Sequence, residues 1–161
     1  MNLTETKTEF NLDKKVLVKN IAPWNVGFPN KAGVGDTLFS PTGKTRVRRE
    51  EIIAQADAGN RLFNGIDDIG SHATLYIEDD ETRQYLGYDS DEEKRVQNVI
   101  TDEKITKWFE LKTQKSFEKN IEENVKTMAE KMYLLDAIKR LHFDSYEKIS
   151  FCQGYSKFKL T

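Results

Sequence analysis

The feature that most limits what this chain can fold into is a change of hydrophobic period across one acidic run, Asp89-Ser90-Asp91-Glu92-Glu93. Before the run, short stretches alternate apolar with polar residues and are punctuated by glycine and proline, the pattern of strands and turns. After it, apolar residues recur every three or four positions, the pattern of helices. A chain of 161 residues with this switch reads as an α+β protein. The expected organisation is a polar lead-in over 1–13 and a β-rich domain over 14–88, a small partly open β-barrel or sheet with short helices. An acidic linker over 89–100 and a helical segment over 101–161 follow. Nine Phe, six Tyr and two Trp supply the bulk for a real core.

Within the first part, Lys15–Asn20 sets Val16 and Val18 against Lys15, Leu17 and Lys19 and reads as a strand. Residues 22–36 read as a Gly/Pro-rich loop that holds a short strand around Trp24, Val26 and Phe28. Thr37–Phe39 and Lys44–Arg48 are strands about the turn Pro41-Thr42-Gly43. A helix opens at Arg49-Glu50-Glu51, where carboxylates suit the positive helix start, and stops at Gly59-Asn60. Arg61–Phe63 reads as extended, and Asn64–Ser71 as a loop. Ala73–Glu78 is a strand, followed by the helix Asp80–Leu86 with Asp79 as cap and Gly87 as stop. In the second part, Thr101 caps a helix carrying Ile105, Trp108 and Phe109. One long helix is expected over Ser116–Leu141 and a short one over Asp144–Ile149. The end, from Cys152, reads as a turn with a terminal strand.

Charge narrows the function classes. The net charge is −2, but residues 76–100 hold 8 acidic and only 3 basic side chains, between two nearly balanced halves. No dominant basic field of the kind that drives non-specific nucleic-acid binding is present. No apolar window is long enough to span a membrane, and the polar start MNLTETKTEFNLDKK is unlike a secretion signal. The single cysteine, Cys152, excludes an internal disulfide and fits a reducing compartment.

Three stretches carry a resemblance: VLVKN at 16–20, RREEI at 48–52 and the strand-to-helix unit at 75–87. Over roughly the first 90 residues the chain resembles small uncharacterised accessory proteins of tailed phages, in which an SH3-like β-domain precedes a helical tail. The resemblance implies a virion or infected bacterial cytoplasm as location, an assembly role, and no catalytic residues. The tail after Asp89 departs from that pattern in detail.

Candidate chemistry is sparse. His72 lies beside Asp67 and Asp68, but the other histidine, His142, is seventy positions away. Neither a zinc set nor a nucleophile–base pair has the spacing it needs. Glu78 to Glu81 lack the calcium-loop signature and suit a helix start. Cys152 next to Phe151 reads as buried and structural. The expectation is therefore a protein with no catalytic residue, no metal and no cofactor.

Two features point to binding. Lys44, Arg46, Arg48 and Arg49 form the one basic cluster, either a solvated strand face or a phosphate contact. Phe117, Ile121, Val125, Met128, Met132 and Leu135, continued by Ile138, make a stripe close to a coiled-coil seam. That stripe is open to two readings, an internal core or an interface for a partner or a second copy. The leading expectation is a non-enzymatic binding or assembly protein that takes a protein partner or self-associates. The alternatives are an inhibitor of a host nuclease or polymerase, mimicking phosphates with its acidic stretch, and a small nucleic-acid-binding accessory protein.

Overall fold

The computed structural model describes residues 10–157. Most of the lead-in and the last residues of the expected terminal strand lie outside the described residues. Strand β1 (Lys15–Asn20) is the centre of a three-stranded antiparallel sheet, flanked by β4 (Lys44–Arg48) and β5 (Leu75–Ile77). Lys15 stands opposite Arg48 and Lys19 opposite Lys44 on one side; Val18 faces Ile77 and Lys19 faces Tyr76 on the other. Because side chains alternate across a strand, Val16, Val18, Val47, Leu75 and Ile77 all turn to the buried face. A separate hairpin pairs β2 (Val26–Pro29) with β3 (Asp36–Phe39) and sends Phe28 and Phe39 inward, where Phe28 meets Phe63 edge-on. The two sheets do not close into a barrel.

Helix α1 (Arg49–Asp57) follows β4 directly and carries Glu50 and Glu51 in its first turn, as its sequence demands. The stretch expected to be extended after it is instead a short helix, α2 (Arg61–Asn64). The Asn60 side chain accepts from the Leu62 N–H and so starts a new helix where the old one stops. Helix α3 (Asp80–Leu86) has the expected Asp79 cap and left-handed Gly87, with φ of 80°.

Helix α4 (Asp102–Phe109) starts at Thr101 as expected. The single long helix does not form. It is two helices, α5 (Gln114–Asn124) and α6 (Met128–Arg140), broken at Val125, whose backbone is extended. The Thr127 hydroxyl accepts from the Glu130 N–H while the Glu130 carboxylate accepts from the Thr127 N–H, a capping box that restarts the helix. The last helix, α7 (Tyr146–Ser156), runs seven residues past the expected end and replaces the turn at 152–157. Gly154 is tolerated inside it because its position faces open space.

Two packed regions share one core. Phe109 stacks on Phe143 at 4.2 Å and meets Phe117 edge-on at 4.9 Å, and Phe117 in turn faces Phe151. The buried cluster runs without a break from Val16 to Cys152. The expected solvated linker is only half right. Asp91, Glu92 and Glu93 are exposed, but Gln97, Val99 and Ile100 are buried. Backbone bonds from His72 N–H to Asn98 C=O, and a Gln97 amide bond to Gly70 C=O, sew the segment onto the 64–72 loop.

Candidate functional site

The outward face of the three-stranded sheet is the most unusual surface. Period-two alternation places Lys15, Leu17 and Lys19 of β1 on it, and the antiparallel register sets Arg48, Arg46 and Lys44 beside them. Tyr76 of β5 shares the face through its pairing with Lys19. Five cations thus stand on two adjacent strands, β1 and β4. Lys44 is paired with Glu78 at 3.0 Å, and Arg48 with Asp13 and Glu50 at 2.6 Å each. Lys15, Lys19 and Arg46 make no ion pair among the described residues. Two clefts flank the face. One of about 290 Å³ is rimmed by Lys15, Arg46, Arg48, Asn30 and Val34. The other, of about 300 Å³, lies against the helices and is lined by Lys19, Tyr76, Glu78, Asp102 and Tyr133.

The expected basic cluster is therefore redrawn. Arg49 does not belong to it: the residue opens α1, is only 2 % exposed, and points inward. Its guanidinium donates to Asp79 at 2.8 Å and to Thr82 at 3.1 Å, and lies 4.3 Å above the Phe10 ring. Burial alone would raise the Asp79 carboxyl, but the Thr82 and Arg49 donors outweigh it and hold the group below the ordinary aspartate value. Lys15 and Lys19 take the place of Arg49 on the surface. Their signal was present in the alternation of residues 15–19, but only the strand register shows that they join Arg46.

Beyond β5 the charge reverses. Arg83 of α3 bonds the outer edge of β5 at the Ile77 carbonyl (2.5 Å), lies over the Tyr76 ring and pairs with Asp89 at 2.9 Å. It thereby ties the acidic stretch to the rim of the same face. Asp80 pairs with Arg83, and Glu93 with Arg95. Asp91 and Glu92 are exposed and make no ion pair among the described residues.

The stripe that left a core and an interface reading open is mostly spent inside the molecule. Phe117, Ile121, Val125 and Leu135 are buried, and Ile138 with them. The break at Val125 is what permits this, because two shorter helices turn their apolar sides onto α4 and α7, as a single rod cannot. Met128 is half exposed and Met132 partly so.

His72 finds the partner that sequence spacing did not offer. Its Nδ1 lies 2.9 and 3.1 Å from the carboxylate oxygens of Glu130, which is fully buried at the start of α6. The same carboxylate accepts from the N–H groups of Lys126 and Thr127. Nearby, the Lys104 ammonium donates to the Val99 carbonyl at 2.7 Å, and Asn98 donates to Asn124. Burial pulls the Lys104 pKa down, against the opposing field of Glu130. These groups clasp the 64–72 loop to the helices. The Thr-x-x-Glu spacing of the capping box was readable in the sequence, whereas its bond to His72 crosses 58 positions. Cys152 is buried, as expected, and burial alone pushes its thiol up to about 12.

No family model, curated protein or solved structure matches this chain. No helix among the described residues is long and apolar enough to cross a membrane.

Proposed function

We propose that this chain is a non-enzymatic binding and assembly protein, an accessory component of a tailed-phage virion, which docks through the outer face of its three-stranded sheet. The observation that carries the reading is how the polar side chains are distributed. The groups best suited to chemistry, His72, Glu130 and Lys104, are enclosed and bonded to one another's surroundings, in a place where they hold two regions together. The side chains left open, Lys15 and Arg46, with the half-buried Lys19 beside them, stand on a rigid sheet, which is how a docking surface is presented. The virion assignment rests on the resemblance of the first 90 residues. The acidic stretch is less suited to the inhibitor role, because Asp89 and Glu93 are already paired within the chain.

Mass spectrometry of purified particles from the phage that encodes the chain tests this. The chain is expected at a fixed copy number per particle, and a variant carrying Lys15→Glu with Arg46→Glu is expected to be made at normal levels yet missing from particles. Abundance in infected cells with none in wild-type particles overturns the virion reading. Normal incorporation of the variant overturns the docking face.

A further inference from the structure

We infer that the occupant of the basic sheet face is a second copy of this chain, docked by the acidic rim formed by Asp91 and Glu92. The inference rests on the assembly reading above and names the partner of the same surface. Its ground is charge complementarity within one molecule. The face shows three cations without ion pairs among the described residues, Lys15, Lys19 and Arg46, on β1 and β4. Past the β5 edge, held there by Arg83, lies the acidic stretch with Asp91 and Glu92 open to solvent.

The layout discriminates between occupants. A nucleic acid laid across the face would meet cations on β4 and β1 and then run into Glu78, Asp80 and the 89–93 stretch, where its phosphates are repelled. A second copy carries both signs in the same order. Set against the first in the opposite sense, its acidic rim meets the cations while its own cations meet the first copy's rim. The pairing is self-complementary if it closes as a two-fold dimer, and propagates if each copy uses one surface at a time. The docking residues make no ion pair among the described residues, so engaging them breaks none there, although Lys19 already lies over the Tyr133 ring at 5.3 Å. The cations lie on adjacent strands, which fixes their spacing before binding and limits the ordering cost. Charge pairs across such a surface set partner choice and make the association depend on salt.

A charge-swap experiment tests it. One variant carries Lys15→Glu and Arg46→Glu, the other Asp91→Lys and Glu92→Lys; all four positions are exposed and free of ion pairs among the described residues, so both variants are expected to fold. Sedimentation of the wild type in low salt is expected to give dimers or larger species that dissociate in high salt. Each variant alone is expected to self-associate roughly tenfold more weakly. An equimolar mixture of the two is expected to recover association, because the new Glu residues face the new Lys residues or the unaltered surfaces face each other. A wild type that stays monomeric in low salt, or variants that associate as the wild type does, would overturn the inference. So would a monomeric wild type that binds a labelled single-stranded oligonucleotide through Lys15 and Arg46. That last result, with the chain still present in particles, would leave the assembly reading standing.

Discussion

The β-half and the helical half of this molecule are held in shape by different means. In the β-half the strands are three to six residues long, too short to specify their connections by apolar pattern alone, and buried polar side chains do that work. The Glu51 carboxylate accepts from the N–H groups of Lys31, Ala32 and Gly33 and so pins the hairpin loop to α1. The Asn20 amide donates to the carbonyls of Trp24 and Ser40, gathering two loops at the end of β1. Arg49 joins α1 to the cap of α3. In the helical half the turns are closed by threonine caps at 101, 113 and 127, and the helices are fixed by stacked and edge-on phenylalanine rings. The contrast is one of degree: loops between short strands rest on long-range hydrogen bonds, while loops between helices are set first by local caps, with Lys148 and Tyr155 then bonding the carbonyls of Phe109, Leu111 and Val125 from a distance.

The comparison breaks most sharply at Val125. If the helical half is held by apolar burial, Val125→Lys places an unpaired ammonium where no surface is exposed, and the loss is expected to be several kcal/mol, enough to unfold most of the chain at room temperature. Met128→Glu, three residues on but half exposed at the start of α6, is expected to change stability by less than about 1 kcal/mol and in the stabilising direction, since a carboxylate suits a helix N-terminus. Urea unfolding followed by circular dichroism measures both. Equal losses would mean that the stripe is not divided in the way its burial indicates.

Acid is expected to separate the halves by a smaller amount. Burial alone would raise the Glu51 carboxyl, yet its backbone and Gln55 donors hold it below the ordinary glutamate value of 4.5, and Asp79 lies below 3.8 for similar reasons. A carboxyl whose folded pKa is depressed stabilises the fold above its unfolded pKa and loses that contribution as pH falls through the folded value. Both groups belong to the β-half. The helical half holds Asp102, kept low by Arg140 against burial and with help from Tyr133, so both halves lose stability below pH 4 and the β-half is expected to lose more. Single-tryptophan variants report each half, Trp24 for the sheet region and Trp108 for α4. Coincident urea midpoints for the two tryptophans at pH 7 and at pH 3 would show instead that the halves unfold as one unit. The smallest effect is Gly154→Ala. An exposed helical position with open space around its Cβ is expected to gain about 0.5–1 kcal/mol in thermal or urea unfolding, and a loss would mean that α7 is not helical there.

What the sequence made legible follows the same division. Strands β1, β4 and β5 and the caps at Asp79 and Thr101 were readable, because alternation and capping act within a few residues. The Asn60 cap and the continuation of α7 past Gly154 were misread where a helix signal competed with a breaker, and the restart at Thr127 was passed over because the apolar stripe runs across the break with no glycine or proline to mark it. The binding surface was legible in half. Arg46 and Arg48 share a face by strand period, but Lys15 and Lys19 join them only through register, and Arg49 leaves because the chain has become a helix by that point. The clasp of His72 to Glu130 was beyond any local reading, since no spacing rule connects two residues 58 positions apart.

That same distance orders the protein's synthesis. At about 5–20 residues per second, a ribosome takes roughly 3–12 seconds to travel from His72 to Glu130. During that interval the strands can pair, since β1, β4 and β5 are all made by Ile77. The 64–72 loop has no clasp, however, and α6, which brings Tyr133 to the cleft side of the sheet, has yet to form. The nascent sheet domain therefore passes through a stage in which its cations are displayed before its final neighbours exist, and it reaches its working form only when the first turn of α6 emerges.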